Sequence, residues 1–128
     1  KWVLWINPCM PFLRMNTVLN ALDTFLNIEN NSLTSVKKMQ GWFFDMEGTP
    51  LTNKENNIAT QDSDYLYEVA HAFHIYERRY LLEKGAYWGD SPNNPYLFEI
   101  PENENIDIDT ESEFKYAEVI YMDRINRR

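Results

Sequence analysis

The sequence predicts an α+β fold, with two main helices packed on a small, mostly antiparallel sheet. Two segments carry apolar residues at helical spacing, and several short segments rich in aromatic and β-branched residues are bounded by turn residues. The length of 128 residues suits one domain, so we expect residues 1–128 to form a single unit with an acidic segment at 99–113.

The first two elements are a strand and a helix. Trp2–Ile6 is a short β-prone run that Asn7 and Pro8 end. Pro11 is suited to the first position of a helix, which we expect over residues 11–28. The apolar residues of this helix recur every three or four positions: Phe12, Met15, Leu19, Leu22 and Leu26.

A second strand is expected over Val36–Met46, with a bulge at Gly41. The turn residues at 47–50 follow it, and residues 51–61 are polar enough to form a loop. The strongest helix is expected over 63–84 and ends at Gly85. Its apolar stripe is spaced 3-4-3-4: Leu66, Val69, Phe73, Tyr76 and Tyr80.

The last two elements are a short strand at Tyr96–Ile100 and an ambiguous segment at 114–125. Aromatic and β-branched residues in the latter favour a strand. Thr110 and Glu113 have the spacing of a helical capping box, and arginines at the end also suit a helix. We expect a strand.

Negative charge is concentrated in the last third of the chain. Of the net charge of −8, residues 1–84 contribute −2 and residues 85–128 contribute −6. Phosphate backbones repel such a surface, so direct nucleic-acid binding is not expected. A basic protein is the complementary partner.

The acidic residues between 102 and 113 lie mostly two apart. On an extended backbone, residues at this spacing point the same way, about 6.8 Å apart, and would form a row of carboxylates. We expect this row to bind the partner, helped by three aromatic anchors. The candidate residues are Glu102, Glu104, Asp107, Asp109, Glu111, Glu113, Tyr87, Trp88 and Tyr96. A solvated acidic edge that prevents aggregation is the alternative.

Two residue patterns are compatible with metal binding, but neither is expected to form a metal site. Asp107, Asp109, Glu111 and Glu118 match EF-hand ligand positions, but Ser112 replaces the glycine of the turn. His71 and His74 would be neighbours on a helix and would be able to share a metal, but a solvated helix face explains them better. No cofactor is expected.

The single cysteine, Cys9, lies between the first strand and helix, where a helix N-terminus would lower its pKa. No Cys-x-x-Cys pair accompanies it, so a buried, inert thiol is the simpler interpretation. One cysteine excludes an intramolecular disulfide and fits a cytoplasmic location. No apolar run approaches the roughly 20 residues of a spanning helix, so no membrane association is expected.

The physical character of the chain is similar to that of bacterial immunity proteins, which are small, acidic and aromatic-rich. We therefore expect a non-enzymatic binding protein that occludes a basic, nuclease-like toxin. A small enzyme using Cys9 or cleft carboxylates is an alternative. A non-catalytic subunit of a larger assembly and a phage-encoded nucleic-acid mimic are two others.

Overall fold

The computed structural model describes residues 1–52, 59–89 and 91–127, and it confirms the predicted α+β class. Its strands are β1 (Trp2–Ile6), β2 (Ser32–Gln40), β3 (Tyr65–Glu77) and β4 (Tyr96–Glu99). Its α-helices within these ranges are α1 (Met15–Asn27), α2 (Arg78–Lys84) and α3 (Glu111–Asn126).

The strands form one mixed sheet in the order β1-β3-β2-β4. β3 runs antiparallel to both of its neighbours, and β2 pairs with β4 in parallel. β1, β2 and β4 therefore run in the same direction, and their carboxyl ends meet along one side of the sheet. We call this side the carboxyl-end edge.

The hydrophobic core lies between α1 and one face of the sheet. Ala21 of α1 and Phe73 of β3 are fully buried in it. The other buried members are Met10, Val18, Phe25, Leu33, Ala70, Ala72, Ile75 and Ile100. Removing this apolar surface from water is the main driving force for folding. It also fixes β1 and β4, and thus the loops that follow them, relative to each other.

The predictions for β1 and β4 are confirmed, the latter to within one residue. The first helix begins at Met15 rather than at Pro11. Arg14 has extended backbone dihedrals and precedes the first helical residue. The chain from Asn7 to Arg14 is therefore a loop.

The second strand lies earlier than predicted. β2 spans Ser32–Gln40 and ends before Gly41, so the prediction of a strand with a bulge over Val36–Met46 is only partly correct. The predicted turn is present: Asp45 Oδ1 accepts hydrogen bonds from the N–H groups of Glu47 and Thr49 at 3.0 and 2.7 Å. Part of the predicted loop at 51–61 lies outside the described residues.

The predicted helix at 63–84 is wrong over most of its length, because Tyr65–Glu77 forms β3. β3 is the central strand between β1 and β2, and its residues from Ala72 to Tyr76 are all buried. A strand buried on both faces has no polar alternation, so its aromatic residues can recur at a helix-like spacing by chance. Only Arg78–Lys84 is helical, and Gly85 ends it in the left-handed conformation as predicted.

The preference for a final strand is also wrong, because α3 spans Glu111–Asn126. The Thr110 side chain accepts a hydrogen bond from Glu113 N–H, and the Glu113 side chain accepts one from Thr110 N–H, which completes a capping box. Most of the apolar side chains of α3 are exposed, as for Phe114 and Val119. The cap and the charge order therefore outweigh the β propensity of these residues. In the part of the chain that the structure describes, no helix is long and apolar enough to cross a membrane.

Candidate functional site

The loops that follow β1 and β4 meet at the carboxyl-end edge. Ile108 N–H donates to the carbonyl oxygen of Cys9 at 3.1 Å. Asn7 Nδ2 donates to both carboxylate oxygens of Asp107, at 3.2 and 3.3 Å. In open α/β sheets, ligands bind outside the carboxyl ends of the strands, and the parallel pair of β2 and β4 shares that geometry here. This edge is therefore the first place to look for a functional site.

Asn7 holds the two loops in place through hydrogen bonds of its backbone N–H and of its side-chain amide. Its backbone N–H donates to Ala72 of β3 at 2.9 Å. Its side-chain oxygen accepts from Cys9 N–H at 2.9 Å, which leaves the amide nitrogen to face Asp107. The two side-chain hydrogen bonds fix the orientation of the Asn7 amide. They therefore hold the Asp107 carboxylate at one position at the edge.

Glu104, a predicted partner-binding residue, is buried, with only 2% of its surface exposed. Its carboxylate accepts a hydrogen bond from Arg14 N–H at 3.0 Å and lies 3.7 Å from the Arg14 guanidinium. A hydrogen bond from a backbone N–H to a carboxylate is stronger than one to a neutral acceptor. Glu104 therefore anchors the acidic segment to the loop before α1.

The carboxylates after Asp107 do not form the extended row that the spacing predicts. Glu113 accepts hydrogen bonds from the Thr110 side chain and from the backbone N–H groups of Thr110 and Asp109, and these bonds lower its pKa. Glu111 pairs with Lys115 at 2.7 Å. Both lie in the first turn of α3, so the extended backbone ends before Glu111.

Two grooves flank the acidic segment. One, of about 380 Å³, lies against the end of β2, and the other, of about 730 Å³, lies against α3. Glu102 and Asn105 line both grooves, and Glu102 is exposed. The segment is thus a ridge with space for a ligand on either side.

The aromatic anchors lie away from this ridge. Tyr87 stacks on His74 with ring centroids 5.1 Å apart, and Trp88 packs at 5.6 Å from the same ring. Tyr96 begins β4, at the end of that strand opposite to the carboxyl-end edge. The structure therefore does not join the three aromatic residues and the acidic segment into one surface.

Cys9 and the acidic residues do not form the sites considered for them. Cys9 is exposed and lies within the loop from Asn7 to Arg14. Both the expected position at a helix N-terminus and the buried thiol are therefore wrong. Glu111 and Glu118 lie in one helix, which excludes the loop of an EF-hand. Within residues 1–52, 59–89 and 91–127, no group of three or more His, Cys, Asp or Glu side chains is arranged to hold a metal ion.

Sequence reasoning missed Asn7 as a site residue, although one signal was available. A polar residue that directly follows a strand lies at the edge where ligands bind if its strand runs parallel to its fellows. The pairing with Asp107, however, joins positions 100 residues apart. No local pattern reveals a contact at that separation.

Comparison with known proteins shows a distant similarity to a protein-modification protein. No family model matches the chain. It is 26% identical over 113 residues to post-translational flagellin modification protein B from Campylobacter coli. The alignment covers 84% of this chain and 47% of that protein, so the chain spans about half the length of the curated relative it matches.

This similarity contradicts the expectation of a non-enzymatic protein. Post-translational modification is covalent chemistry on a protein, and the matched protein is named for that process. The expectation was based on the acidic, aromatic-rich character of the chain. Such a composition does not exclude catalysis, because catalytic groups can come from loops that are distant in sequence.

Proposed function

We propose that this chain is part of an enzyme that acts in the covalent modification of a protein such as flagellin, with its substrate site at the carboxyl-end edge. The observation that carries the proposal is the hydrogen-bonded junction of Asn7 with Asp107, which joins the loops after β1 and β4. The similarity to a flagellin modification protein supports the type of process.

The junction supplies the chemistry that a polar substrate needs. The Asp107 carboxylate can accept hydrogen bonds from hydroxyl or ammonium groups of a substrate, or can take up a proton from one. Asn7 orients that carboxylate, so it acts as a positioning residue. Asp109 is exposed two residues further on and adds a second carboxylate at the same ridge.

Preorganisation is the second reason to place the site here. Asn7 is tied to β3 through Ala72, and the acidic segment is tied to the loop before α1 through Glu104. Groups held by a packed scaffold lose little freedom when substrate binds, which is the arrangement that catalytic sites require. The neighbouring grooves give a substrate room to approach Glu102 and Asn105.

Deletion of the gene that encodes this chain tests the proposal. Intact-mass spectrometry of flagellin and other abundant surface proteins from the native host should then show a protein of lower mass in the deletion strain. Reintroducing the wild-type gene should restore the original mass. Identical surface-protein masses with and without the gene would refute a role in protein modification.

The hypothesis that the acidic segment binds a basic protein remains a prediction. Exposed Glu102, Asp109 and Glu111 support it, because their carboxylates lie on the surface of the described chain. Such an interaction should weaken as salt rises, since screening shortens the range of surface charges. Capture of a cationic protein from the host that survives high salt unchanged would count against it. The toxin-neutralising form of this hypothesis has no support beyond the charge.

A further inference from the structure

β3 contains a large irregularity where it passes β2. Thr34 pairs with His74, but the next pair along β2 joins Val36 to Val69. Between these two pairs β2 has one residue, Ser35, whereas β3 has four, at 70–73. β3 therefore bulges by three residues at the centre of the sheet.

Side chains and backbone both adapt to this bulge. The buried hydroxyl of Ser35 accepts hydrogen bonds from the N–H groups of Ala72 and Phe73 at 3.0 and 3.1 Å. His71 has a φ of 51°, a left-handed conformation that few residues other than glycine adopt. Bulges and left-handed residues of this kind concentrate at functional sites, where they re-aim a side chain.

The effect of the bulge is to bring two imidazoles together. In a regular strand, residues three apart point to opposite faces. Here His71 Nδ1 lies 3.2 Å from His74 Nε2, and the two rings are nearly perpendicular at 77°. On a helix, His71 and His74 would be neighbours because of their spacing. On this strand, the three extra residues of the bulge bring them together.

His74 is held rigidly in this arrangement. Its ring lies between Trp5 and Tyr87, with centroid distances of 5.3 and 5.1 Å and interplanar angles of 22° and 6°. Thr34 Oγ1 lies 2.7 Å from His74 Nδ1, and both side chains are buried. If Nδ1–H donates to Thr34, the lone pair of Nε2 points away from Thr34 and toward His71.

We propose that His71 Nδ1 and His74 Nε2 bind a transition-metal ion as a two-imidazole site. Two nitrogens that each lie about 2.0–2.1 Å from Zn²⁺ at a tetrahedral angle are separated by roughly 3.3 Å. The observed separation of 3.2 Å matches that value. Imidazole ligands suit zinc, copper and nickel, and water or a substrate would complete the coordination.

The hydrogen bonding around His74 suits a metal ligand. Thr34 supplies the hydrogen bond on the opposite nitrogen that orients metal-bound histidines in general. His71 is exposed and presents Nδ1 to the site.

Titration of the untagged protein with Zn²⁺ and with Cu²⁺ tests the proposal. Calorimetry should show one Zn²⁺ per chain, and the electron paramagnetic resonance spectrum of bound Cu²⁺ should show coupling to two nitrogens. His71→Asn is the diagnostic variant, because asparagine tolerates the left-handed backbone and the fold should persist. We expect its affinity for Zn²⁺ to fall by more than the roughly 10–100-fold that follows from changing a residue hydrogen-bonded to a metal ligand.

Cys9→Ser is the matched control, since the exposed thiol is another ligand for soft metals. This variant should bind Zn²⁺ as the wild type does. Equal affinity in the wild type and in His71→Asn would overturn the proposal, and so would a wild type that binds neither ion. These measurements use no activity, so their failure would leave the proposed enzymatic role untouched.

Discussion

The histidine cluster at the centre of the sheet and the acidic segment at its carboxyl-end edge hold their polar groups in different ways. At the centre, Thr34 and Ser35 are buried side chains that satisfy other buried groups within the sheet. At the edge, Glu104 and Glu113 accept hydrogen bonds from backbone N–H groups of neighbouring loops. The first region is buried except at His71, whereas much of the second is exposed to solvent.

This difference separates what each region can do. Buried groups at the centre are costly to leave unpaired, so the cluster fixes one conformation of β3. At the edge, Glu104 is buried and the Asn7–Asp107 pair is half-buried, while the grooves are lined by the nearby Glu102 and Asn105. The edge is therefore more accessible to a ligand than the centre of the sheet.

Replacing Ser35 with alanine should give the largest effect on stability. Two buried N–H groups lose their acceptor, and each unsatisfied donor costs about 1–3 kcal/mol, so we expect about 4 kcal/mol of lost unfolding free energy. Urea denaturation measures this loss. Ser91→Ala, at an exposed position, is the control and should change little. A loss below about 1 kcal/mol in Ser35→Ala would mean that the bulge relaxes and finds other partners.

Acidification should destabilise the protein through His74. The folded pKa of about 4 lies below the ordinary value of 6.5, so the unfolded chain takes up the proton first as pH falls. This stability is fully present above pH 6.5 and is lost progressively as pH falls, and the loss reaches about 3 kcal/mol near pH 4. Urea denaturation at several pH values measures it. His74→Gln keeps hydrogen-bonding groups but does not titrate in this range. If the unfolding free energy of that variant depends on pH as steeply as that of the wild type, another group causes the effect.

At the edge, removal of the buried Glu104 side chain should cost less than either change at the centre. Glu104→Ala leaves Arg14 N–H without its acceptor and exposes the site to water, so we expect about 2 kcal/mol. Thermal denaturation of this variant and of Glu102→Ala gives the comparison, since Glu102 is exposed. Equal melting temperatures for the two variants would show that Glu104 does not anchor the acidic segment.

Loss of the α3 cap should be the smallest effect. Thr110→Ala removes the hydroxyl that accepts from Glu113 N–H, and such changes cost about 1 kcal/mol. Circular dichroism during thermal unfolding detects the shift. Ser112→Ala lies in the same turn without the capping role and should melt as the wild type does. A Thr110→Ala variant that melts with it would mean that Glu113 alone caps the helix.

The sequence predicted elements well where local chemistry decides them. β1 and β4 are short β-prone runs between turn residues, and their bounds agree with the structure. Thr110 and Glu113 also indicate the cap of α3, but the aromatic and β-branched residues of this segment favour a strand, which is the element that the sequence analysis predicts. Capping hydrogen bonds act locally, whereas β propensity depends on a neighbouring strand that α3 does not have.

Long-range pairing decides the rest and is invisible locally. β3 resembled a helix partly because its residues 72–76 are all buried, so polar residues do not alternate there; this burial depends on β1 and β2 lying at its sides. The sequence placed His71 and His74 close together on a helix, whereas they lie on β3. Residues three apart on this strand come together only because of the bulge. The site at the carboxyl-end edge depends on Asn7 meeting Asp107, and so on the whole sheet order.

The most direct measurement for the account as a whole is the intact mass of the host's modified surface protein in strains that carry single substitutions. Asp107→Asn removes the charge of the edge carboxylate and keeps its shape, and Asp23→Asn makes the same change at an exposed position on α1. With both variants present at wild-type levels, we predict full modification with Asp23→Asn and loss of modification with Asp107→Asn. Full modification with Asp107→Asn would contradict a catalytic or substrate-binding role for the carboxyl-end edge.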